Sequence, residues 1–139
     1  MNQGYPKIVD LGIGKILTYK SGTKILRTYT LIGTPHYMAP EIAKSKGYNL
    51  AVDYWAIGVC FYEFMCGYLP FGNGCDDPFE IYEEISKKDV KFPGCLKDVH
   101  AKRLMYQLLS KNPEVRLGGS FMNLKSDPWF SAFDWVSFF

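Results

Sequence analysis

The longest apolar stretch of the chain runs from Tyr54 to Phe71, and its pattern decides between a membrane span and a buried helix. Glu63 sits in its middle, and Gly67 and Pro70 interrupt it after about a dozen helical residues, too few to cross a bilayer. The pattern predicts a buried central helix over Asn49 to Cys66, ended by Gly67 in the left-handed conformation. Asp77-Pro78-Phe79-Glu80 combines an N-cap, a proline at the first helical position and an early glutamate, which starts a second helix that runs to about Lys87. Between Asp98 and Ser110, the spacing of Ala101, Leu104, Met105, Leu108 and Leu109 draws one apolar stripe on a third helix, closed by Asn112-Pro113. A short helical tail rich in aromatic residues carries Trp129, Phe130, Phe133 and Trp135. Tyr19 to Thr30 lacks helical periodicity and reads as a loop, while Lys7-Ile8-Val9 is a short β-rich run that leads into Asp10.

Composition narrows the class without naming a chemistry. With 139 residues, 47% hydrophobic and 17% aromatic, the chain can bury one sizeable core. A net charge of +2 provides no field that would select nucleic acid or an anionic membrane, so no nucleic-acid partner is expected, and the interrupted Tyr54 to Phe71 stretch predicts no transmembrane segment. Cys60, Cys66, Cys75 and Cys95 show no paired spacing of the zinc-site kind and read as free thiols. No basic stretch followed by an apolar run opens the chain, which makes a cytoplasmic address the default.

Chemistry enters with two tripeptides about thirty residues apart, Asp10-Leu11-Gly12 and Ala39-Pro40-Glu41. Alone, Asp-Leu-Gly is an ordinary turn. Its companions are Gly33-Thr34-Pro35-His36-Tyr37-Met38, Gly47-Tyr48, Val52-Asp53-Tyr54-Trp55-Ala56-Ile57-Gly58-Val59, Leu69-Pro70-Phe71 and Pro113-Glu114-Val115-Arg116-Leu117-Gly118, in that order. Gly14-Lys15 is no Walker loop, because Val9 stands where that motif needs glycine. In sum the chain resembles the C-terminal lobe of eukaryotic serine/threonine protein kinases of the AGC group, and within it the cGMP-dependent kinases of protozoa. The resemblance implies a mainly α fold, an incomplete kinase domain with a small two-stranded remnant around Ile8, Val9 and Lys15 to Leu17. It divides the chain into an activation segment (10–41), helical subdomains (42–130) and the start of a C-terminal extension (131–139).

The same resemblance assigns roles. Asp10 matches the magnesium ligand, a carboxylate suited to a hard cation. Thr30 matches the activating phosphorylation site and Lys15 one partner of its phosphate. Thr34 matches the threonine whose hydroxyl bridges the catalytic aspartate and lysine. Leu31, Pro35 and Met38 match the apolar socket for the residue after the phosphoacceptor. Glu63 stands in an apolar helix and needs a partner, which the resemblance makes a substrate arginine and the residues alone leave open to an internal lysine or arginine. His36 replaces a glutamate common in relatives. Glu41 and Arg116 match a structural ion pair, and Asp53 matches the carboxylate that anchors the catalytic loop. Lys20 and Lys24 read as a solvated loop face, and Trp55 as core.

The implied cofactors are ATP and Mg2+, with cGMP on domains outside this chain, and the implied partners are protein substrates with basic residues before the Ser/Thr. The 139 residues contain no glycine-rich loop, ATP-holding lysine or His-Arg-Asp sequence. The expectation is a fragment that works with a missing N-terminal lobe and catalytic loop and is inactive alone. The alternatives are an inactive lobe that binds basic peptides or a partner kinase, a kinase of the cAMP-dependent type, and a nonfunctional truncated product.

Overall fold

A computed structural model describes residues 7–17, 28–30, 32–44 and 47–137. Its main elements are α1 (Pro40–Ala43), α2 (Ala51–Cys66), α3 (Pro78–Lys87), α4 (Val99–Leu108) and α5 (Phe121–Lys125), with 3-10 turns at Pro35–Tyr37, Arg116–Gly119 and Pro128–Phe130. The mainly helical expectation is met.

The hub is α2, apolar on nearly every side as its sequence demands. Trp55, Val59 and Tyr62 lie at its buried face, with Phe71, Ile81, Ile85 and Met105 closing around them. The approach to α4 is close because position 58 is glycine: a Cβ there would lie 2.8 Å from the Leu108 Cβ. The helix ends as expected at Gly67, with φ of 81° and its N–H donating to the Glu63 carbonyl. It starts two residues later than the pattern indicates, since the Asn49 side chain accepts the Ala51 N–H at 2.9 Å and acts ahead of the first turn.

Helix α3 has the predicted bounds, with Asp77 accepting the Phe79 N–H, and α4 is capped by Asp98, which accepts the Ala101 N–H at 2.9 Å. The α4 stripe is buried as predicted, but the helix ends at Leu108. The tail keeps its aromatic cluster, Trp129, Phe130, Phe133 and Trp135, with only a 3-10 turn rather than a helix. The two-stranded remnant is not formed by the described residues: Ile8, Val9 and Ile16 are exposed and pair with nothing. Two short strands alone are marginal in water, and no third strand supports them among the described residues. Extended pairing occurs instead between Thr28 and Tyr48, whose N–H and C=O groups exchange bonds of 2.8 and 2.9 Å.

Candidate functional site

The segment from Asp10 to Glu41 is fixed at its far end and open at its near end. At the far end, Glu41 on α1 meets Arg116, which is fully buried. Arg116 Nη1 and Nη2 donate to the two Glu41 oxygens at 2.7 and 2.9 Å, Nη1 also to the Ala51 carbonyl at 2.7 Å, and Nε to the Ser110 carbonyl at 2.9 Å. The guanidinium lies 5.2 Å from the Trp55 ring centre. This two-pronged pair joins α1, the start of α2 and the loop after α4, and it is the expected structural ion pair.

At the near end, Asp10 is exposed, in the left-handed region with φ of 59°, which aspartate tolerates better than most residues. Its Oδ1 accepts the Gly12 N–H at 3.1 Å, which holds the turn and leaves the other oxygen to solvent. Such a carboxylate fits one ligand position of a hard cation. Among the described residues no hydrogen bond ties Asp10 to Thr34 or Glu63.

Lys15 and Thr30 line one shallow hollow of about 240 Å³, with Gly12, Gly14 and Tyr48. Lys15 Nζ donates to the Thr28 hydroxyl at 2.8 Å, and Tyr48 OH donates to the Thr30 carbonyl. The lysine therefore stands beside the threonine to which it was assigned, bonded to the residue two positions earlier. Thr30 itself is exposed. Leu31, Lys20 and Lys24, with the whole stretch from Tyr19 to Lys24, lie outside the described residues.

Thr34 precedes the 3-10 turn Pro35–Tyr37 and is exposed, and its side chain makes no capping bond. Pro35 is half-buried, while Met38 is buried with its sulfur accepting the Tyr82 hydroxyl at 3.0 Å, so of the apolar socket Pro35 presents more surface. His36 Nε2 donates to the Gly72 carbonyl at 3.1 Å and pins the turn to the loop before α3.

Glu63 is half-buried, and its Oε2 accepts the Tyr37 hydroxyl at 3.0 Å. No lysine or arginine pairs with it among the described residues. Burial first and the Glu63 carboxylate second push the Tyr37 hydroxyl above the ordinary tyrosine range. Tyr37 was not singled out from the sequence, because only the fold brings it to Glu63. The Asp53 side chain has no hydrogen-bond partner among the described residues, and the surrounding protein pushes its carboxyl up by desolvation although the side chain reaches solvent.

Residues 1–130 match the protein kinase domain. The chain belongs to the protein kinase domain family. It is 47% identical over 137 residues to a cGMP-dependent protein kinase of Eimeria tenella, covering 96% of this chain and 13% of that protein. It is 44% identical over 136 residues to a cGMP-dependent protein kinase of Plasmodium berghei, covering 96% of this chain and 15% of that protein. A cAMP-dependent protein kinase catalytic subunit of Dictyostelium discoideum is 42% identical over 137 residues, covering 96% of this chain and 20% of that protein. The chain thus spans between 13% and 20% of the length of these kinases. In this family ATP and Mg2+ are used in general. No helix among the described residues is long and apolar enough to cross a membrane.

Proposed function

We propose that this chain is the substrate-binding and activation-segment part of a serine/threonine kinase of the cGMP-dependent type, acting on Ser/Thr preceded by basic residues. The observation that carries the reading is Glu63: a half-buried carboxylate on the central helix, held by the neutral Tyr37 hydroxyl and paired with no cation among the described residues. A neutral donor orients a carboxylate and leaves its charge available, which suits an incoming arginine.

Asp10 would hold the Mg2+ that accompanies ATP; when bound, that ion neutralises phosphate charge during transfer. The chain's own part is to position. Thr34 offers a free hydroxyl at the head of the 3-10 turn, Pro35 and Met38, with Leu31, form the apolar side of the substrate site, and Arg116 with Glu41 fixes the end of the segment. A phosphate on Thr30 would meet Lys15 in the hollow they share. Asp53 would receive the backbone of a catalytic loop, and that loop, the ATP-holding residues and any cGMP sites would lie in sequence beyond these 139 residues. Taken alone, the chain should transfer no phosphate from ATP.

A chimera tests this: the matching segment of the Eimeria tenella kinase is replaced by this chain, and phosphorylation of an arginine-containing peptide is measured. Activity is expected, with Glu63→Gln raising KM for that peptide about tenfold or more and leaving a peptide without arginine unaffected. A folded, ATP-binding chimera without activity would overturn the reading, and so would turnover by the isolated chain that Asp10→Ala abolishes.

A further inference from the structure

Of the five asparagines in the chain, Asn73 is the one followed by glycine. Asn73 and Gly74 form the tip of a turn between α2 and α3: the Cys75 N–H donates to the Gly72 carbonyl at 2.9 Å across them, and Gly74 takes a φ of 82°. Both residues are exposed, and the place where a Cβ of residue 74 would stand is empty to 4 Å. Among the described residues the Gly74 N–H donates to no acceptor. Asn73 Oδ1 accepts the Leu69 N–H at 3.4 Å, so a donor already stands at the oxygen that gains charge when the side-chain carbonyl is attacked. The other described asparagines lack this arrangement. Asn49 Oδ1 is held by the Ala51 N–H at 2.9 Å, Asn112 is followed by a proline with no N–H, and Asn123 lies in α5 with its Nδ2 donating to the Leu117 carbonyl at 3.2 Å.

We propose that Asn73 is a site of spontaneous deamidation and isoaspartate formation, which loosens the Pro35–Tyr37 turn. The Gly74 nitrogen attacks Asn73 Cγ; the N–Cγ bond forms, the Cγ–Nδ2 bond breaks, and ammonia leaves carrying the Gly74 amide proton. Glycine permits this because no side chain shields its nitrogen. Water then opens the cyclic imide. Addition at Cγ restores the ordinary chain with aspartate at position 73. Addition at the backbone carbonyl carbon of residue 73 breaks the original peptide bond and leaves the chain running through Cγ, longer by a methylene, as isoaspartate. The consequence follows from what Gly72 holds. Its carbonyl accepts the His36 Nε2–H at 3.1 Å as well as the Cys75 N–H, and its own N–H donates to Glu84 at 2.9 Å. A methylene inserted into the main chain between Gly72 and Cys75 changes the span of that turn, and His36 loses its fixed acceptor. Neither step depends on phosphoryl transfer.

The test is to age the folded chain in mildly alkaline buffer made with oxygen-18 water and to map its peptides by mass spectrometry, with isoaspartate detected by protein isoaspartyl methyltransferase. The expected product is an Asn73 peptide whose amide has become an acid carrying oxygen-18 and which the methyltransferase labels, while the peptides of Asn49, Asn112 and Asn123 stay unchanged. Asn73→Gln, which would need a larger ring, should form none of it. Asn73→Asp supplies the charge without the methylene. Its His36 ring signal by NMR should match that of the fresh wild type, whereas the signal of the isoaspartate form should shift, with His100 as the unmoved reference. The proposal is overturned if Asn49, Asn112 or Asn123 converts ahead of Asn73, if Asn73 keeps its amide in the folded chain while the guanidinium-unfolded chain converts, or if the His36 signal of the isoaspartate form equals that of the fresh protein.

Discussion

Arg116 uses four of its N–H donors on three separate segments, and its bonds to the Glu41 carboxylate and the Ala51 carbonyl are buried. Lysine cannot reproduce that fork, so Arg116→Lys should behave almost as a deletion. Stranding Glu41 in a buried site costs about 3 to 5 kcal/mol, a large part of the stability of a domain this size. Urea denaturation is the measurement: Arg116→Lys and Glu41→Gln should each shift the midpoint sharply downward, and a wild-type midpoint in either would show that the pair does not hold the segment. Replacing both at once, Glu41→Leu with Arg116→Met, should recover part of the loss, because no charge is left unpaired. This pair was legible in the sequence, since each partner lies in its own motif. The Tyr37 contact to Glu63 was not legible, because nothing local distinguishes a tyrosine that turns toward a helix from one that packs on it. Lys15 was legible as a neighbour of Thr30, but its bond to the Thr28 hydroxyl depends on an extended pairing with Tyr48 that the periodicity does not carry.

At the scale of elements, the helices that the sequence located best are those with a capping side chain and a distinct stripe. Helix α3 has both and its bounds agree with expectation, while α5 and the 3-10 turns are too short for periodicity to register. Helix α4 depends on Asp98, which accepts the Ala101 N–H and also the Trp129 indole N–H at 3.2 Å, tying the helix start to the tail. The Ala101 bond foremost, with the Trp129 bond assisting, holds the Asp98 carboxyl below the ordinary aspartate range. A carboxylate with a depressed folded value stabilises the fold above its unfolded value, and that contribution is lost as pH falls through the depressed one. Asp98→Asn keeps an acceptor at the cap and removes the titration. Thermal melts followed between neutral pH and about pH 2 should therefore show a shallower acid loss in Asp98→Asn than in the wild type. Asp98→Ala should be less stable than both at neutral pH. Equal acid slopes in wild type and Asp98→Asn would remove Asp98 from the acid response.

For the molecule as a whole, the telling quantity is the apolar surface left open on its central helix. Asp53, Ile57, Cys60 and Phe64 share one face of α2, with Ile57 44% and Phe64 85% exposed. Leu11, Ile13 and Ile16 of the open end are exposed as well. Apolar residues grouped along a helix face are unusual on a monomer and mark a surface that other protein covers. The solvent-reaching Asp53 carboxylate at the head of this face, pushed up by the protein around it, adds a charged group without a side-chain hydrogen bond among the described residues. The isolated chain should therefore self-associate at micromolar concentration, with sedimentation coefficients that rise with concentration. Substituting exposed side chains leaves the core intact, so Ile57→Gln with Phe64→Gln should lower the association while the circular dichroism spectrum is unchanged. The reverse substitution at a buried position of the same helix, Val59→Gln, should raise association by unfolding the core. A wild-type chain that stays monomeric and melts cooperatively would mean that this face is tolerated in water. In that case the exposed stripe would carry no information about a neighbour, and the case for a covering segment would rest on Asp53 alone.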